Sequence, residues 1–221
     1  MAIINFTESL HKATQRDYVG RVTEHDKAAC AEIATQWGAD YWDGERHHGY
    51  GGYHYDGRWR PIAEAMAEHY NLKAGERLLD IGCGKGYLLY ELTQVVPGLD
   101  VAGLDVSSYA IAHAKPEVQE LITEGGATEL PFAEDSFDCV ISLGALHNLP
   151  NFDLWRALQE MERVGNSARK YVMVESFRNE REKANLLYWQ LTCRSFYAPE
   201  EWSWFLDRAG YHGDLGFIFF E

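Results

Sequence analysis

Cysteine is scarce in this chain, and positive charge is scarcer than negative. The four cysteines, Cys30, Cys83, Cys139 and Cys193, stand far apart with no Cys-x-x-Cys or Cys/His ligand spacing, which argues against a disulfide framework and a structural zinc site. Reduced thiols in a cytoplasmic protein are expected. Lysine and arginine total 20 against 34 aspartates and glutamates, a formal net charge of -14. Nucleic-acid binding relies on basic side chains that neutralise phosphates, so this balance, with no basic cluster in view, argues against such a partner. No apolar run reaches the length that crosses a bilayer, and Met1 to Arg16 lacks the apolar stretch of a secretory signal. A membrane partner is not expected either. Internal repeats and low-complexity tracts are also missing.

What is present is ordinary for a folded domain: 221 residues, 46% of them hydrophobic and 24% charged. That length supports one α/β domain with a full core and not two. The first 70 residues differ in texture from residues 71–221. Asp26 to Trp37 has helical spacing, with Asp26 as N-cap and Gly38 as stop. Tyr41 to Pro61 is rich in glycine and aromatics without a helix or strand period and reads as an ordered loop. Trp59 to Tyr70 resumes a helical pattern, with Pro61 tolerable in a first turn.

From Arg77 onward, short apolar strands alternate with helical segments, the pattern of a parallel sheet covered on both faces. Strands are predicted at 77–81, 100–105, 121–125, 137–142 and 171–176. Helices are predicted at 86–96, 108–115, 154–164, 182–195 and 199–209. One or two terminal strands are expected within 211–221.

The most informative segment is Leu78 to Tyr87, LLDIGCGKGY. An apolar strand ends in Asp80 and runs through Gly82, Gly84 and Gly86 into a helix. Glycine lets the backbone turn tightly and a ligand approach where any Cβ would intrude. The helix start then offers free N–H groups to an anionic group. The spacing is GxGxG, one residue short of the dinucleotide fingerprint GxGxxG, which weakens a nicotinamide oxidoreductase reading. A second strand ends in Asp105, nineteen residues after Gly86, where an acid can accept hydrogen bonds from two ribose hydroxyls.

These motifs resemble those of the class I S-adenosylmethionine (SAM) dependent methyltransferases over most of Arg77 to Ser176. The resemblance implies a three-layer Rossmann-like α/β fold, a mostly parallel, twisted sheet with helices on both faces, preceded here by an N-terminal helical and loop lid. It implies SAM as cofactor, S-adenosylhomocysteine as its product, and the methionine carboxylate as the group at the helix start. Asp80, Gly82, Gly84 and Gly86 match the first motif and Asp105 the ribose-binding acid, with Val106 against adenine. Ala127 and Thr128 in GATELPF match the backbone that meets the adenine amine, although family members often carry Asp where this chain has Gly126. Ser142 and Leu143, at the exit of DCVIS, match the wall of the methionine portion. Over its whole length the chain is also similar to bacterial methyltransferases associated with capsule or O-antigen genes, which implies a sugar or sugar-linked phosphoryl acceptor.

Methyl transfer needs an acceptor held in line with the methyl group, and a weakly acidic acceptor needs a base. His147, just past the fourth strand, and Glu175, at the end of the fifth, are the candidate catalytic residues; each could instead serve to anchor its own loop. Tyr41, Trp42, Tyr50, Tyr53, Arg58 and Trp59, with Arg46 and Arg60, form a candidate lid that supplies aromatic walls and an anion grip. Arg194, in the LLYWQLTCRSFY segment, joins the candidate substrate residues. The same aromatics could simply plug the sheet edge. His47, His48 and His54 lack nearby carboxylate ligands, so no metal is expected. The NLPN run at Asn148 to Asn151 lacks the second proline and aromatic of the nucleobase-methylating motif. The expected activity is methylation of a polar or anionic small molecule by a monomer or homodimer, on oxygen rather than nitrogen. The competing reading is a protein that binds SAM or its product as a sensor or partner subunit without transfer.

Overall fold

The structure, a computed structural model, describes residues 1–12 and 16–221. Four short helices come first: α1 (Glu8–Lys12), α2 (Tyr18–Thr23), α3 (Lys27–Ala34) and α4 (Ala39–Trp42). Asp26 caps α3 as expected, its carboxylate accepting from the N–H groups of Ala28 and Ala29. The helix stops three residues before the predicted Trp37, which takes a left-handed φ of 53°. Gly38 therefore precedes α4 instead of ending α3, and α4 takes the first two residues of the predicted loop. The helix α5 (Arg60–Tyr70) follows, with Pro61 in its first turn.

The alternating part reads β1 (Arg77–Ile81), α6 (Tyr87–Val95), β2 (Asp100–Asp105), α7 (Ser108–Ala112), α8 (Pro116–Gln119), β3 (Ile122–Glu124), β4 (Cys139–Leu143), α9 (Asn151–Val164), β5 (Lys170–Ser176), α10 (Glu180–Trp189), α11 (Pro199–Arg208) and β6 (Asp214–Phe219). The predicted helix at 108–115 is split because Pro116 disfavours a helical Lys115 and restarts the chain as α8. The predicted helix at 182–195 ends at Trp189, where Gln190 turns to an extended ψ of 137°.

The strands form one sheet in the order β3-β2-β1-β4-β5-β6, and all five pairings are parallel. One terminal strand completes it, β6, whose outer edge takes a bridge from Ile3 to Leu215. Alternation along each strand separates two apolar layers. Leu78 and Ile141 face Ile62, Met66, Leu88 and Leu92 on one side. Leu79 and Val140 face Leu154, Leu158, Met161, Trp202 and Leu206 on the other. Each of these buried side chains contributes about 2 kcal/mol, so both faces of the sheet must stay covered. This is the expected three-layer Rossmann-like fold. Among the described residues no helix is long and apolar enough to cross a membrane.

Candidate active site

The strand order reverses at β1, which pairs with β2 on one side and β4 on the other. In open parallel sheets, ligands bind at the carboxyl ends of the strands at such a switch point. A cavity of about 460 Å³ lies there, lined by Asp80, Gly82, Gly84, Leu143, Gly144, His147 and Glu175 among others.

Gly82 and Gly84 hold φ values of 80° and 56°, a region that side-chain-bearing residues avoid. A Cβ on Gly84 would lie 2.7 Å from Cη2 of Trp42, so the indole rests on the glycine backbone. The Gly84 N–H donates to Asp105 Oδ2 at 2.7 Å, and the Ser107 N–H donates to its Oδ1 at 2.8 Å. These bonds, with the Val106 N–H also acting on it, hold that carboxylate in place. Asp80 is 4% exposed, and its Oδ1 is buried with no hydrogen-bond partner. Burial, with the Asp105 charge adding to it, pushes its carboxyl up to about 8.

The cavity wall does not include every predicted cofactor residue. Asp105 stands behind Gly84, and Gly86 backs onto Val118 and Ile122. Ser142 is fully buried and donates its hydroxyl to the Ile81 carbonyl at 2.8 Å. Val106 is 53% exposed, and it lies outside the cavity wall with the half-buried Ala127 and Thr128. Trp42 touches Gly84 and donates Nε1–H to the Ser107 hydroxyl at 2.9 Å, so it stands at the boundary between the enclosed space and that open surface.

His147 and Glu175 meet across the ends of β4 and β5, with Nε2 and Oε2 3.5 Å apart. Burial lowers the imidazole to about 3 and raises the carboxyl to about 8, so both are mainly uncharged near neutrality. The Gln190 side-chain amide donates to Glu175 Oε1, and the N–H groups of Arg194 and Ser195 donate to the His147 carbonyl.

Part of the aromatic segment lines this cavity. Tyr41, Trp42, Tyr50, Tyr53, Arg58 and Trp59 all line it, and Trp42 stacks on Tyr50 with centroids 5.3 Å apart. Arg58 is half exposed and paired with Asp56. Arg60 pairs with Glu64 and Glu91 outside the cavity. Arg194 is exposed and absent from the wall.

Sequence reasoning missed the pin that holds this segment down. Lys85, within the glycine bend, is 3% exposed and donates to both oxygens of Asp43 at 2.7 Å and to the Tyr53 carbonyl at 2.9 Å. Asp43 also accepts from the Tyr53 N–H and the Tyr109 hydroxyl. Arg16, Arg21, Asn148, Trp189 and Gln190 also line the cavity without having been singled out. A lysine amid glycines was the one available signal. Among the described residues, six buried side-chain polar atoms lack a hydrogen-bond partner, and five belong to residues of this wall: Arg16 Nε, Asp80 Oδ1, His147 Nδ1, Asn148 Oδ1 and Glu175 Oε2. Buried polar atoms are normally satisfied, so their concentration here marks a binding site.

Residues 79–168 match the family model described as a methyltransferase domain. Over 113 residues the chain is 37% identical to demethylmenaquinone methyltransferase of Oceanobacillus iheyensis, covering 48% of this chain and 47% of that one. Over 137 residues it is 31% identical to 27-O-demethylrifamycin SV methyltransferase of Amycolatopsis mediterranei, covering 56% and 48%. The chain thus spans about half the length of the curated relatives it matches. The YcgJ protein of Bacillus subtilis superposes with a TM-score of 0.54 at 22% identity over 66% of each chain, a likeness of fold.

Proposed function

We propose, on the premise that residues 79–168 are a methyltransferase domain, that this chain transfers a methyl group from SAM to a polar or anionic small molecule, on oxygen rather than nitrogen. The observation that carries this reading is the group of unpartnered polar atoms around the cavity that reaches the glycine bend. SAM offers a sulfonium, an amino group, a carboxylate and two ribose hydroxyls. Asp80, with one oxygen unsatisfied, suits the amino group, and a cation beside it would favour its ionised form. Asp105, held by the Gly84 and Ser107 N–H groups, suits the ribose hydroxyls. Val106, Ala127 and Thr128 would meet adenine on the open side of Trp42, and Leu143 the methionine portion.

Bound SAM supplies an electrophilic methyl group, and the protein has to place the acceptor oxygen in line with it. Glu175, in its ionised form, can take the acceptor's proton, with the neutral His147 imidazole beside it to orient the carboxyl. A sugar or sugar-linked phosphoryl compound would match the arginines in the same wall.

Calorimetry with SAM and S-adenosylhomocysteine tests the cofactor. Binding by the native chain is expected, and Asp105→Ala should weaken it by about 1 to 3 kcal/mol, as when a buried ligand loses hydrogen bonds. No binding at millimolar cofactor sinks the reading. Transfer of a labelled methyl group to a component of cell extract separates an enzyme from a sensor that only binds.

A further inference from the structure

We infer that Arg16, Arg21 and Arg46, gathered around Trp189, form a subsite for a phosphoryl dianion carried by the methyl acceptor. Only the assignment to the acceptor rests on the proposed methyl transfer; the oxyanion site stands on its own geometry. The guanidinium carbons of Arg21, Arg46 and Arg16 lie 4.8, 5.1 and 5.7 Å from the centroid of the Trp189 ring, and Arg16 lies 5.0 Å from that of Phe220. All five side chains line the cavity that reaches the glycine bend.

Like charges do not gather without cause. Arg21 is fixed by donating to the carbonyls of Trp189 and Arg46, and Arg46 by donating to those of Gly49 and Tyr50. Carbonyls orient a guanidinium and leave its charge uncancelled. Six other arginines, Arg58, Arg60, Arg77, Arg163, Arg169 and Arg178, each have a carboxylate within 4.0 Å, and Arg156, Arg181, Arg194 and Arg208 are exposed to solvent and line no part of this cavity. Among the described residues no carboxylate pairs with Arg16, Arg21 or Arg46, although acids outnumber bases 34 to 20. Glu175, the carboxyl whose charge acts on Arg16, is held mainly protonated by its burial. Burial and the neighbouring guanidinium lower both Arg21 and Arg46.

The donors complete the argument. Arg16 Nε is buried without a partner, and the bonds above leave Nη2 of Arg21 and both Nε and Nη2 of Arg46 unspent. Three guanidinium groups around one ring suit a group with several oxygens and two charges better than a planar carboxylate with one. His11, also in the wall, is held neutral by burial and by Arg16, at about 4.

The test titrates inorganic phosphate, sulfate and acetate into the full chain at constant ionic strength, following tryptophan fluorescence and the unfolding temperature. Phosphate should bind saturably and sulfate comparably, with acetate about tenfold weaker or worse. Arg21→Gln and Arg46→Gln should each weaken phosphate about tenfold, the effect of losing one charged hydrogen-bonding partner. Arg208→Gln, on an exposed helix end, should change nothing. If a glutamine variant fails to fold, Arg46→Lys keeps the charge, removes the fork and should still weaken phosphate. No saturable phosphate binding, equal binding of acetate, or equal loss in Arg208→Gln overturns the assignment. SAM affinity is measured on the same samples. If SAM binds and phosphate does not, the anion subsite falls alone; if phosphate binds and SAM does not, the methyl-transfer reading falls and the oxyanion site stands.

Discussion

Replacing Glu175 by glutamine should stabilise the folded chain at alkaline pH and leave it nearly unchanged at pH 5. The carboxyl is 6% exposed, takes a hydrogen bond from Gln190 on one oxygen and has the other beside His147 without a bond. Burial moves it from the ordinary 4.5 to about 8. At about 1.4 kcal/mol for each pH unit, its ionisation in the folded state costs at most about 5 kcal/mol. Water entry and side-chain movement should reduce the measurable part to about half of that. Because the folded-state value is raised, the native chain holds the full benefit of the protonated form below pH 4.5. That benefit fades as pH rises and is gone above about 8. Glutamine keeps the shape and does not titrate, and its amide can donate to His147 Nε2. Denaturant unfolding of both proteins at pH 5, 7 and 9 reads the difference directly, and the other buried acids, Asp80, Glu91, Asp105 and Glu182, cancel because both proteins contain them. A stability gap that stays constant from pH 5 to pH 9 would refute a buried, protonated Glu175.

Three further outcomes follow from the same geometry. Asp43→Ala strands the buried Lys85 ammonium and should cost about 3 to 5 kcal/mol, most of it regained by also replacing Lys85 with methionine; thermal denaturation reads both, and a loss below about 1 kcal/mol would contradict the pin. SAM should bind more tightly as pH rises from 6 to 8, by up to about tenfold per unit, because its cationic groups favour ionised Asp80, which otherwise titrates at about 8; calorimetry showing equal affinity at both pH values would count against that contact. His147→Ala should slow methyl transfer by about a hundredfold or more while SAM affinity holds, whereas parallel losses of activity and unfolding temperature would assign the imidazole to loop packing.

The parts of this fold that were legible in sequence are those set by local periodicity and by glycine. β1 and β2 fall on the predicted residues because each is a short apolar run with an acid at or next to its end and turn residues beyond it. The bend at Gly82 to Gly86 was legible because glycine adopts those positive φ angles far more readily than other residues. Misjudged boundaries have local causes. The stretch from Gln190 to Ser195 has helical apolar spacing, yet Thr192, Cys193 and Ser195 are weak helix formers, and the chain there turns to place Gln190 on Glu175 and two N–H groups on His147. Long-range partners left no trace in the pattern. Nothing near Arg16 or Arg21 indicates that they reach a cavity whose far wall is built by residues as distant in sequence as His147 and Glu175, and Arg58, with Asp56 two residues before it, satisfies itself locally.

The outermost strand shows how the first few residues serve the whole sheet. Ile4 donates to the Leu215 carbonyl, Leu215 donates to that of Ala2, and the Phe217 N–H ends on the Asn5 side chain. An unprotected parallel edge carrying Leu215, Phe217 and Phe219 would be a template on which a second molecule could crystallise its own backbone. The first five residues thus act as a selvedge, and the colloidal behaviour of the protein depends on that hem staying sewn.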